Sequence, residues 1–235
     1  MSRLSARRQL LAVGVSLALA VPVAALVAPA ADASAAGGSS TVLLTRGDAG
    51  PGVLLVQRAL SVKPVSGHYN QETARAVRRF QTTRGIAVTG WVNERTMSAL
   101  RAKWASVQKY RANLRHKYQR IMTVAKNQKG DPYRYGAAGP SAFDCSGYTM
   151  FVYSRAANMS LEHGAAAQFQ RGHRISKKQA RPGDLVFMYS GGSIYHASIY
   201  AGHGQIWHAS TPGTTVRRDP IWTNNVYFAR MFNKR

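Results

Sequence analysis

"AFDCSGYTMFVYSRAAN", residues 142–158, holds the only cysteine of a 235-residue chain. From Cys145 onward the stretch is helix-like, with Tyr148, Val152 and Ala156 on one stripe. Cys145 therefore stands at a helix N-terminus. Unpaired N–H groups there carry partial positive charge, which favours thiolate over thiol. The same groups could hold an oxyanion when a carbonyl is attacked. Gly147 leaves room for a substrate to approach the backbone. A lone cysteine forms no internal disulfide, and its competing role is a small buried hydrophobe. The polar neighbours Asp144 and Ser146 argue for a working thiol.

Downstream the pattern changes. Arg181-Pro182-Gly183-Asp184 reads as a turn, and strand-like runs follow at 185–190, 195–200, 205–210 and 225–230, separated by Gly, Pro and Asn signals. A helix followed by antiparallel strands is an α+β arrangement. A thiolate nucleophile needs a base, usually histidine, oriented by a third polar group. Of seven histidines, His196 and His208 sit mid-strand on the two arms of a hairpin whose turn is "AGHGQ", 201–205. An odd-numbered hairpin loop brings both side chains to one face, about 5–8 Å apart at Cβ. An even-numbered loop sends them to opposite faces. The region lacks H-x-x-x-H and H-E-x-x-H, and the whole chain has nine carboxylate residues, so no metal is expected.

The first half of the chain is helical by pattern. "SGHYNQETARAV" (66–77) and "TGWVNERTMSAL" (89–100) align as a repeat in which Gly67 matches Gly90, Asn70 matches Asn93 and Thr73 matches Thr96. Each copy reads as a turn, an N-cap Asn and a short helix. "GVLLVQRAL" (52–60) supplies a third helix, with Val53, Val56 and Leu60 on one side. Residues 102–118 read as a basic amphipathic helix joining two domains.

Arg3, Arg7 and Arg8 precede an apolar run from Leu10 to about Ala31, and "ADASAAGGSS" offers A-x-A cleavage. Residues 1–35 are therefore expected to be a secretory signal and 36–41 a spacer. The formal charge of +23 draws the chain to polyanions. Outside the cell these are an anionic wall polymer or a membrane surface, and nucleic acid is not expected as a partner.

Two resemblances sharpen this. Residues 42–101, with Phe80-Gln81 and the glycine pair Gly85 and Gly90, resemble the small peptidoglycan-binding domain that precedes many wall hydrolases. "GDPYRYG", "FDCSGYTMFVYSRAANMSL", "RPGDLVFM" and "YHASIYAGHGQIWHAS" together resemble the NlpC-type cysteine peptidases that cut peptidoglycan stem peptides, over about residues 119–230. The second resemblance implies a papain-like domain at 119–235 with Cys145 as nucleophile, His196 as base and His208 orienting the imidazole. It further implies that Tyr133 supports the oxyanion, that Asp144 and Ser146 shape the nucleophile's loop or touch substrate, and that Gln168 lines the cleft. It implies no cofactor, and a secreted or wall-associated monomer whose partner is peptidoglycan. The chain departs from the family at "LEHGAAAQ" (161–168), where an arginine is missing and His163 stands nearby. Two rival readings share the residues: an acyltransferase or N-acyl amidase with an apolar acyl tunnel, and a wall-binding protein with a vestigial site.

Overall fold

The computed structural model describes residues 41–232, and the expected signal at 1–35 lies outside them. The first domain opens with a short strand β1 (Val42–Leu44) and helix α1 (Pro51–Leu60), whose proline fits the helix's first turn. Helix α2 (Gln71–Arg84) follows, then the two-residue strand β2 (Val92–Asn93), which pairs with β1, and helix α3 (Glu94–Asn127). Asn70 and Asn93 cap α2 and α3, each side-chain oxygen accepting the backbone N–H of Thr73 or Thr96 at 2.9 Å. The repeat has a second, buried element. Gln57 accepts from Gly67 N–H and donates to Thr73 Oγ1, and Gln81 accepts from Gly90 N–H and donates to Thr96 Oγ1. Each glutamine latches the preceding helix onto the next turn. Both turn glycines have positive φ, 77° and 81°. Val53, Val56, Val77, Val92 and Leu100 are sealed between these elements.

The basic segment expected to be a separate linker helix at 102–118 is the middle of α3, which runs on without a break for 34 residues. Met97 and Leu100 are buried near its start and Tyr118, Ile121 and Ala125 near its end, with no fully buried residue between Leu100 and Tyr118. The apolar spacing of the segment thus serves cores at its two ends.

The second domain comprises α4 (Cys145–Ala157), α5 (Ala165–Arg171) and strands β3 (His173–Ile175), β4 (Leu185–Ser190), β5 (Ser193–Gly202), β6 (Gln205–His208), β7 (Arg217–Pro220) and β8 (Val226–Arg230). The strands form one antiparallel sheet in the order β3-β8-β4-β5-β6-β7. Alternation divides the sheet's side chains. Leu185, Phe187, Ala197, Ile199 and Trp207 form one core with Tyr148, Val152 and Tyr153 of α4, while Val186, Met188, Tyr200, Ile206 and Phe228 form a second core on the other face. β3 and β7, the two edges, were not expected, because "HRI" and "RRDP" carry no apolar alternation.

The Arg181–Asp184 turn ties three elements together. Fully buried Asp184 accepts the Tyr118 hydroxyl of α3 at 2.8 Å, the Arg181 backbone N–H at 3.0 Å and Arg230 Nη2 of β8 at 2.8 Å. Arg230 Nε reaches the carboxylate's other oxygen at 3.2 Å, so Asp184→Asn removes the charge from four bonds, and we expect urea unfolding of this domain to lose about 2–3 kcal/mol; an unchanged midpoint would refute the role.

Candidate active site

The loop before α4 and the helix's first turn close around Asp144. Its Oδ1 accepts the Gly147 N–H at 2.7 Å and Ser146 Oγ at 3.1 Å, and its Oδ2 accepts the Gly136 N–H at 2.9 Å and lies 2.8 Å from His163 Nε2. Burial would raise this carboxyl, but the Gly147 N–H and the His163 contact outweigh burial and hold it below the usual range. Asp144 is thus the N-cap of α4, and it aims the start of the helix. A cleft of about 670 Å³ lies against it, lined by Tyr133, Asp144, Cys145, Ser146, His163, Ala165 and Tyr195, among others. A larger hollow of about 1150 Å³, bordered by Lys117, Arg120 and Arg155, does not reach Cys145. The chemistry singles out the smaller one. Burial raises the Tyr133 pKa, and the neighbouring Cys145 and Asp144 raise it further.

Two expectations are corrected here. Gln168 does not line the cleft. It is fully buried, donating to the carbonyls of Ser146 (2.9 Å) and Glu162 (2.7 Å) and accepting from Thr149 Oγ1 (2.6 Å), so it braces the first turn of α4 from behind. Gly147 leaves room for the protein's own backbone rather than for substrate: a Cβ there would run into the Ala137 carbonyl oxygen.

The sulfur's position follows from sheet register. β5 begins at Ser193, but its ladder with β6 starts only at the Ile199–Trp207 pair, so a gap opens beside residues 196–198. Tyr200 donates its N–H to Asp184 O, on the β4 side. N–H groups alternate along a strand, so that of Ala197 points into the gap, and this N–H is among the groups that pull the Cys145 pKa down. Cys145 therefore lies close to the Ala197 N–H of β5, next in the chain to His196.

The two histidines share one face. The hairpin turn is Gly202–Gln205 with a register shift before Gly202, which gives the odd count the pairing needs. His208 lies one diagonal step from His196, and His196 Nε2 meets His208 Nδ1 at 2.9 Å. Alternation places them on the face of Met188 and Tyr200, opposite the face that packs on α4. Beyond them stand residues that the sequence reading missed. His208 Nε2 lies 3.1 Å from Asp219 Oδ2, Arg217 Nε donates to the same oxygen at 2.6 Å, and the half-exposed Trp222 ring lies 5.6 and 5.2 Å from the two imidazoles. A carboxylate in a chain with nine, set in "RRDPIW", was the available signal.

The expectation that the helix terminus makes Cys145 a resting thiolate is also corrected. Burial raises its pKa, and the N–H groups of Ala197, Ser146 and Cys145 itself offset only part of this. Burial and His208 push His196 down to about 3. Burial likewise lowers His208, against the pull of Asp219. Thiol and imidazole are both neutral at pH 7. The thiolate appears only above an elevated pKa, so iodoacetamide alkylation of Cys145 should keep rising beyond pH 9. A rate plateau between pH 5 and 8 would instead reveal a thiolate–imidazolium pair.

A cysteine at the mouth of a helix, held against an antiparallel sheet that carries its histidines, defines the papain-like α+β class of thiol sites. Residues 130–233 match the NlpC/P60 family and residues 49–100 a putative peptidoglycan binding domain. The chain thus carries an NlpC/P60 domain, with a peptidoglycan-binding domain ahead of it. It is 44% identical over 101 residues to the probable endopeptidase p60 of Listeria monocytogenes, covering 43% of this chain and 20% of that protein. It is 40% identical over 98 residues to a probable endopeptidase of Corynebacterium glutamicum, covering 42% of this chain and 46% of that one. The chain thus spans less than half the length of these relatives. Among solved structures, the NlpC/p60 domain of the peptidoglycan hydrolase SagA aligns over 48% of this chain and 96% of its own, at 37% identity and a TM-score of 0.44. RipD of Mycobacterium tuberculosis, described as a non-catalytic NlpC/p60 protein adapted to peptidoglycan binding, aligns over 49% and 98%, at 25% identity and a TM-score of 0.44.

Proposed function

We propose that this chain is a secreted cysteine endopeptidase that cuts peptidoglycan stem peptides at the bond between D-γ-glutamyl and the diamino acid. The observation that carries the reading is Cys145 at the start of α4, near the Ala197 N–H of β5, beside a His196 whose Nε2 meets His208 Nδ1 at 2.9 Å. As Sγ attacks the carbonyl carbon, its proton passes to His196. The N–H groups at the start of α4 and the Tyr133 hydroxyl support the oxyanion. His196 then gives that proton to the departing amine, leaving an acyl-enzyme. Water, deprotonated by His196, releases the acid and restores the thiol. Tyr133, Asp144, Ser146 and His163 give the cleft groups that a peptide backbone can bond, beside apolar Ala165–Ala167 and Ile194. The basic n-region and apolar run at 1–35 support export, and the first domain supports anchoring on the wall.

Digestion of purified peptidoglycan followed by mass spectrometry tests the assignment. We expect fragments with a new amino terminus at the diamino acid. Release of glycan fragments, or of peptides freed at another bond, would overturn it.

A further inference from the structure

Behind the histidines the hydrogen-bond chain ends in a group that can only accept. Ionised carboxylate oxygens have no proton to give. The Asp219 carboxyl lies below the usual range; burial opposes this, but bonds from Arg217 and His208 prevail. His208 Nε2, 3.1 Å from Asp219 Oδ2, must therefore carry the proton of that contact. A neutral imidazole carries one N–H, and His208 is fully buried. Its Nδ1 is then a bare lone pair. The atom facing that lone pair at 2.9 Å, His196 Nε2, must be the donor. By the same count His196 Nδ1 is left without a proton.

We infer that Asp219 sets the tautomers of both histidines and thereby leaves His196 Nδ1 as the atom that takes the Cys145 proton. Asp219 is a positioning residue: it acts through His208 on His196. Arg217, whose Nε reaches the same oxygen at 2.6 Å, keeps that oxygen in place. When His196 becomes imidazolium, its Nε2–H already points at an acceptor, and the Asp219 charge lies at the end of the chain to balance it. Without Asp219, the reversed arrangement, with protons on both Nδ1 atoms, becomes accessible to His208. It would put a proton on His196 Nδ1 and leave that atom unable to take the thiol's. The kinetic part of this inference rests on the thiol mechanism proposed above; the tautomers do not.

Long-range 1H–15N correlation spectra of the whole protein, labelled with 15N-histidine, test it directly. At neutral pH the wild type should show His196 and His208 both protonated at Nε2. Asp219→Leu, similar in size and without an acceptor, should give a mixed tautomer at His208. It should also lower kcat on purified wall peptide by roughly 10–100-fold with KM unchanged. An Nδ1 proton on either ring in the wild type would overturn the inference, and so would an Asp219→Leu protein with unaltered tautomers or unaltered kcat. The wild-type spectrum decides the tautomers even if the variant does not fold. If Cys145→Ala retains activity, the thiol mechanism falls, and the tautomer result stands or fails by itself.

Discussion

Cys145→Ala should reduce release of peptide from purified wall by at least about 10³-fold, while leaving wall binding intact. The sulfur is the atom that would form the acyl bond, and no other thiol exists in the chain to replace it. The substitution removes little volume, and the helix cap is made by Asp144, which remains. Loss of activity would therefore report chemistry rather than unfolding. Zymography with the two proteins side by side reads it. Equal clearing would end the thiol mechanism. Clearing by neither, with binding by both, would mark a wall-binding protein.

The second large effect concerns Gly147→Ala, which should unfold the start of α4. Ordinarily alanine favours a helix over glycine by about 1 kcal/mol. Here the added Cβ meets the Ala137 carbonyl oxygen and comes within 2.9 Å of both Ala137 C and Ala138 Cα. These are backbone atoms. Ala137 O also accepts the Asp144 N–H at 2.8 Å, so the loop cannot retreat without loosening the cap. Displacing it moves Asp144, and with it Cys145. We expect a net loss on the order of 4 kcal/mol, read from urea midpoints, with activity lost in parallel. A variant as stable as the parent would show that the loop is not fixed in this position.

Much of this was legible in the chain. The strands expected at 185–190 and 225–230 lie within one residue of β4 and β8, because buried strands of a sheet flanked by turns give strong local signals. The histidine pairing depended on one bulge residue, which pattern reading could only pose as odd or even. Features that rest on distant partners were silent. Gln168 reads as an ordinary polar helix residue, and only the fold shows it bonded to the back of Ser146. Thiol ionisation was misjudged for a related reason: a helix terminus is visible locally, whereas desolvation depends on what the sheet brings over it. Asp219 became meaningful only once β7 had been paired with β6.

The unbroken α3 has a mechanical consequence. Thirty-four residues of helix measure about 50 Å, and a helix resists bending where a glycine-serine leash would not. Under the proposed function, a catalytic domain on such a strut would not sweep freely through the volume around its anchor. It would meet bonds at a set reach from wherever the first domain was moored, so that the spacing of the wall mesh would itself help choose which of them were cut.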